Sequence, residues 1–217
     1  MGLLQRIYAG SFGMLIFCGT YPEQTEKGDG MDPEDWFFYP RLRKPINYVY
    51  LSPEEVNKGF WGYYCMVKVA ELRLQNVNGY FMFSDDTVFN FWHPFVNYDS
   101  LHTEARFPGN AGWWYHVKYG QKAANIAIES IRTRYSNDSE VAWMVEEYRR
   151  GLVNNKMTIT DPLVHLNQID GKIISDWLFM PANRMEFIRV LGEILFEGGL
   201  FHELFFSKIA YALPHQT

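Results

Sequence analysis

The stretch Gly79-Tyr80-Phe81-Met82-Phe83-Ser84-Asp85-Asp86 decides how this chain is read. Its first five residues are uncharged and rich in aromatic side chains, the composition of a buried strand. The run breaks abruptly at Ser84, and two carboxylates follow. Upstream, Ser52-Pro53-Glu54-Glu55 sets serine at an N-cap, proline at the first helical position and glutamate at the third, a capping-box signature. Val56, Phe60, Tyr63, Val67, Ala70 and Leu74 then recur at helical spacing and predict one apolar face. Asn76, Asn78 and Gly79 are expected to end that helix at about Asn76. Further upstream, residues 13–19 (GMLIFCG) read as a fully buried strand entered from a short helix, and residues 47–51 as a second short strand. Strand, helix and strand, with acids at the last carboxyl end, form a βαβ-type arrangement. Ligands in such arrangements gather beyond the carboxyl ends of the strands.

Downstream, the pattern predicts helices over 113–134 and 139–150, irregular chain over 151–171 and a strand over 172–179 that carries Asp176. An amphipathic helix over 183–196 follows, through Phe187, Val190, Leu191 and Ile194, broken by Gly198-Gly199; a last helix holds His202, Glu203, Phe206 and Ile209. Residues 20–45 are rich in Pro, Gly, Asp and Glu and are expected to be a loop or insertion. With 217 residues the chain is long enough for one substantial core, and residues 1–217 are read as a single domain of mixed α/β class.

Composition narrows the function. The net charge is −5 and the densest basic stretch is only Arg41-Leu42-Arg43-Lys44, which argues against nucleic-acid binding. No stretch is long and apolar enough to read as a transmembrane segment. Aromatic residues make up 18% of the chain, enough to fill a core and also to line a sugar or base pocket. The two cysteines, Cys18 and Cys65, belong to no C-x-x-C pair, which argues against structural zinc. A disulfide between them stays open, since spacing alone does not fix their distance. Asn137-Asp138-Ser139 is an N-glycosylation sequon that matters only if the chain enters the secretory pathway. No P-loop, G-x-G-x-x-G or G-x-S-x-G motif occurs, which argues against common nucleotide kinases, dinucleotide dehydrogenases and α/β-hydrolases.

Two adjacent carboxylates cannot both be ionised cheaply when close and dry. A divalent cation resolves the repulsion, and Mg2+ or Mn2+ takes oxygen ligands, often carboxylates together with phosphates. Asp85 and Asp86 are therefore candidates to hold a metal against a diphosphate; the competing account is a polar turn after a strand, where aspartate is common. Trp92 and His93 follow closely and can stack on or hydrogen-bond to a ligand, or serve as wall residues. Asp176 can accept from a sugar hydroxyl or act as a base, or it can pair with an arginine. Glu203, beside His202 at a helix start, suits acceptor-side acid/base work; an acid favoured there by the helix dipole is the plainer account.

In this order the pieces resemble a nucleotide-sugar glycosyltransferase of the GT-A type. They are most similar to eukaryotic glycosyltransferase-like proteins with a G-Y-hydrophobic-D-D-x-x-x-N-x-W pattern, here Gly79, Tyr80, Asp85, Asp86, Asn90 and Trp92. The resemblance covers roughly residues 8–212, and its specific part is 59–93. It implies a Rossmann-like GT-A mixed sheet flanked by helices, a nucleotide-diphosphate sugar donor, a glycan or protein acceptor, and Mn2+ or Mg2+. By the same carry-over Ser84, Asp85 and Asp86 meet the metal and the diphosphate or ribose, Asp176 and Glu203 face the acceptor or the sugar ring, and His215 supplies a late metal ligand; Trp92, able to stack on a ligand, joins the donor-binding candidates. It also implies the Golgi or secretory-pathway lumen. Set against the GT-A pattern, the chain begins at a helix before what would be the second strand, so the first β-α unit is expected to be missing. That departure favours an alternative, a non-catalytic relative that binds glycans or a protein partner. Another metal-dependent phosphoryl or nucleotidyl transferase is a third reading, which needs more basic residues near Asp85 than the sequence offers.

Overall fold

The computed structural model describes residues 1–20, 43–57, 61–84, 97–103, 106–107, 118–158, 160–168, 172–173 and 176–216. They form a mixed α/β structure. Helix α1 (Gly2–Tyr8) leads to strand β1 (Ile16–Gly19), which pairs in parallel with β2 (Asn47–Tyr50). The sequence predicts full burial for residues 13–19; β1 is instead half-buried along its length, because among the described residues its sheet has only two strands. Most of the expected 20–45 insertion, residues 21–42, lies outside the described residues.

The capping box forms as the sequence predicts. The Ser52 N–H donates to the Glu55 carboxylate, and the Glu55 N–H donates back to Ser52 Oγ, satisfying two N-terminal donors reciprocally. It starts α2 (Pro53–Asn57), and α3 (Trp61–Glu71) continues the predicted face, with Tyr63, Val67 and Ala70 buried. The helix ends at Glu71, five residues short of expectation. Arg73 and Asn76 take left-handed φ values of 47° and 59°, which a continuing helix does not allow. A disulfide joins Cys18 of β1 to Cys65 of α3, so the smaller sheet is fastened covalently to the helical layer.

Strand β3 (Gly79–Phe83) lies where the sequence places it, but it is half-buried rather than buried, and among the described residues it lies at an edge. It belongs to a four-stranded sheet with β4 (Leu101–Thr103), β7 (Trp177–Pro181) and β8 (His215–Gln216), ordered β3-β7-β4-β8. Its partner β7 is antiparallel, β4 is antiparallel to β7, and β8 is parallel to β4. The βαβ order is therefore present in the chain, yet β2 and β3 sit in different sheets among the described residues. The expected strand over 172–179 divides into β6 (Lys172–Ile173), which pairs with β5 (Arg106–Phe107), and β7; Asp176 lies in the bend just before β7.

The helical layer holds α4 (Lys118–Arg132), α5 (Ser139–Asn154), α6 (Pro162–Leu166), α7 (Met185–Glu197) and α8 (His202–Ala212). The irregular segment expected over 151–171 instead contains the end of α5 and all of α6. Asp161 caps α6 through Leu163 N–H with proline at the first position, the same serine-or-aspartate-then-proline signal that starts α2. Helix α7 ends in a Schellman motif: Leu200 N–H donates to Leu195 O, Gly199 N–H to Phe196 O, and Gly199 has φ 80°. Helices α3 and α7 run antiparallel and close, with Gly192 against Val67 and the Tyr64 and Phe196 rings stacked at 3.7 Å. Leu178 and Met180 of β7 enter the same buried cluster as α3, α7 and α8, so the helices cover that face of the sheet.

Candidate functional site

The β3–β7 register pairs Phe83 with Trp177, and the next residues outward are Ser84 and Asp176. Ser84 donates its N–H to the Asp176 carbonyl at 2.8 Å and its hydroxyl to the same oxygen at 3.2 Å. Two candidates 92 residues apart in sequence, Ser84 and Asp176, are thus brought together at one edge of the sheet. Asp176 is exposed and forms no ion pair among the described residues, so the arginine-partner account of it is not met there. Asp85, Asp86 and Trp92 lie outside the described residues.

Glu203 is half-buried in the first turn of α8, which has no side-chain cap. The helix dipole favours an acid at that position whatever its chemical role. The turn is held against α3: Tyr63 N–H donates to His202 Nδ1 at 3.1 Å, and Tyr63 Oη donates to Leu200 O at 2.8 Å. Tyr63 is fully buried, and burial pushes its phenol well above the ordinary value, so it acts as a neutral donor. Gly62 leaves room for the His202 ring, which a Cβ there would overlap.

Topology gives the course of the three helices over the sheet. The far ends of α3, α7 and α8 meet the opposite end of the sheet, where Ala182 N–H bonds Asn78 O and Leu101 N–H bonds Pro214 O. From there the three helices run back over the Leu178 and Met180 face. Helices of 11 to 13 residues extend about 16–20 Å, close to the roughly 17 Å of a five-residue strand. The start of α8, where His202 meets Tyr63, thus lies about a strand length from the Leu101–Pro214 junction.

His215 is not brought to that edge. It lies on β8 opposite Leu101, in the row of Tyr80 and three strands from β3, about 14 Å across the sheet. Among the described residues no three His, Cys, Asp or Glu side chains cluster as a metal site. A cavity of about 320 Å³ lined by Glu147, Arg150, Arg184, Phe187 and Leu213 sits at the Pro181 end of the sheet, away from Ser84, and holds none of the predicted site residues.

Sequence reasoning misses the pairing of Ser84 with Asp176; the available signal is that each flanks a β-rich run, GYFMF and WLFMP. Among curated proteins and among solved structures, none matches the chain. A family model described as STELLO glycosyltransferases matches residues 1–177, a span that includes Ser84, Asp85, Asp86, Trp92 and Asp176 and stops before Glu203 and His215. The match covers most of the chain, from α1 to the first residue of β7: the protein belongs to the STELLO glycosyltransferase family.

Proposed function

We propose that this protein transfers a sugar from a nucleotide-diphosphate donor to an acceptor hydroxyl, with Mn2+ or Mg2+ held by Asp85 and Asp86. The observation that supports this most directly is the Ser84–Asp176 pairing, which sets an exposed carboxylate beside the strand end that leads into the acidic pair. The carboxylates of Asp85 and Asp86 offer oxygen donors, as a hard divalent cation prefers. When bound, the metal neutralises charge on the departing diphosphate. Ser84, its hydroxyl already turned to Asp176, fixes the geometry of the strand end, and Trp92 offers a flat face for the donor. Asp176 positions or deprotonates the acceptor hydroxyl. Glu203, half-buried in the first turn of α8, is a second acid for the acceptor side. His215, as a late metal ligand, would have to come from β8, three strands away.

The proposal keeps a Rossmann-like GT-A sheet as its frame, supported by the mixed parallel and antiparallel pairing of the four-stranded sheet. The Cys18–Cys65 disulfide supports an oxidising compartment, in keeping with a Golgi or secretory-pathway lumen. The decisive experiment measures the melting temperature with Mn2+ and each of a panel of nucleoside diphosphates, alongside release of sugar from the matching donors. A rise that needs both metal and one nucleotide, lost in Asp85→Ala/Asp86→Ala, is expected. Folded protein that shows neither a shift nor sugar release with any donor would instead be a non-catalytic relative that binds a glycan or a protein partner.

A further inference from the structure

We propose that Asn137 is an N-glycosylation site, modified on its side-chain amide by a lipid-diphosphate-linked oligosaccharide. Asn137-Asp138-Ser139 is the only Asn-x-Ser/Thr triplet in the 217 residues. It forms the tip between α4 and α5, and Asn137 and Ser139 are both exposed. The middle residue serves the fold, since Asp138 Oδ1 accepts from the N–H groups of Glu140 and Val141 at 2.8 and 3.0 Å and so caps α5. The flanking side chains have no such role. Among the described residues, neither the Asn137 carboxamide nor the Ser139 hydroxyl takes part in a hydrogen bond, so nothing in the fold accounts for this pair of side chains around the cap.

The tip is also built to carry a large substituent without disturbing the core. Arg134 pairs with Glu197 at 3.0 Å, the Tyr135 hydroxyl donates to the same carboxylate at 2.8 Å, and Ser136 Oγ donates to Thr133 O at 2.8 Å. The two bonds to Glu197 anchor the turn to the end of α7 and the third closes the turn on itself, while Asn137 is open to solvent. The disulfide between Cys18 and Cys65 is an independent sign of the compartment in which such transfer occurs. In the reaction the Asn137 Nδ2 bonds to the anomeric carbon of the oligosaccharide and the anomeric C–O bond breaks. The lipid diphosphate leaves with the electron pair, and the amide loses one proton to base. The proposal rests on the lumenal placement argued above and is independent of the transferase chemistry.

The test expresses the chain in cultured eukaryotic cells behind a cleavable secretory signal, with intact mass read before and after treatment with a peptide-N-glycosidase. The wild type should carry extra mass that the glycosidase removes. Asn137→Gln and Ser139→Ala should lose it, and Ser139→Thr, which restores a hydroxyl, should keep it. Secreted protein with an oxidised Cys18–Cys65 pair and the mass of the bare polypeptide would overturn the proposal while leaving the lumenal placement intact. The same treatment of the protein isolated from its own cells separates the two: modification of the secreted form but not of the native one overturns the lumenal placement, and natural use of Asn137 with it.

Discussion

Ser84 gives both of its hydrogens, from the backbone N–H and from the hydroxyl, to the main-chain carbonyl of Asp176. The strands are therefore joined at this edge through the backbone of Asp176, and its carboxylate takes no part in holding them. Structure and chemistry at Asp176 can consequently be separated by substitution. Asp176→Asn should change unfolding free energy by no more than about 0.5 kcal/mol, as for an exposed surface position. Sugar transfer should fall by roughly 100-fold or more if the carboxylate serves the acceptor. Paired denaturant melts and transfer assays check this; unchanged transfer would remove Asp176 from the proposed chemistry.

The acidic pair is probed by ligand-linked stability. At a ligand concentration about 100 times its dissociation constant, binding to the native state contributes roughly 2.7 kcal/mol. Asp85→Ala/Asp86→Ala should abolish this gain with Mn2+ and nucleotide together, measured by thermal melting. Retention of the full shift in the double variant would place the metal elsewhere.

Gly62 offers a test of the α8 start. A Cβ at this position overlaps the His202 ring, which accepts from Tyr63 N–H. Gly62→Ala should cost about 1–3 kcal/mol by overpacking and shift the turn that carries Glu203. Transfer should then fall further than the loss of folded protein explains, if Glu203 acts on the acceptor side. A variant with wild-type stability would show that the α3–α8 junction is looser than its geometry implies.

The Cys18–Cys65 bridge spans 47 residues. Loop entropy in the unfolded chain assigns it up to about 4 kcal/mol, with about 2–4 typical. Cys18→Ser/Cys65→Ser should lower the denaturant midpoint accordingly, and a reductant should lower that of the wild type but not of the double variant.

Glu193 supplies a pH dependence. It lies on α7 facing Tyr64, and its Oε2 has no hydrogen-bond partner among the described residues. Burial raises its pKa above the ordinary glutamate value, with Lys68 opposing the rise and the nearby Glu71 and Glu197 adding to it. A raised value means that the folded state holds the proton more tightly than the unfolded state. The ionised side chain is therefore a cost, absent at low pH and fully present once pH exceeds the folded value. Glu193→Gln removes that cost. Its stability relative to wild type should rise as pH climbs from the ordinary glutamate value through the raised one, then level off. A difference that is flat across that window, in urea melts at a series of pH values, would contradict the assignment.

Elements with local signals were legible in the amino-acid order alone. The capping box at Ser52 and Glu55, the strand Gly79–Phe83, the periodic face of α7 and the Gly198-Gly199 stop all form as the sequence predicts, because caps, period and glycine act within a turn or two of chain. Asp161-Pro162 before α6 is a short-range signal of the same kind, overlooked within a segment that otherwise reads as irregular. Pairing between distant segments is a different matter. Whether Cys18 reaches Cys65, whether β3 lies beside β2 or β7, and whether Ser84 meets Asp176 depend on the packing of whole helices and strands. Hydrogen bonds between strands carry no side-chain code, so GYFMF and WLFMP announce two strands without naming each other as partners. The acidic pair is visible as chemistry in the sequence; the exposed carboxylate beside its strand end is set by the β3–β7 register, which only the folded packing fixes.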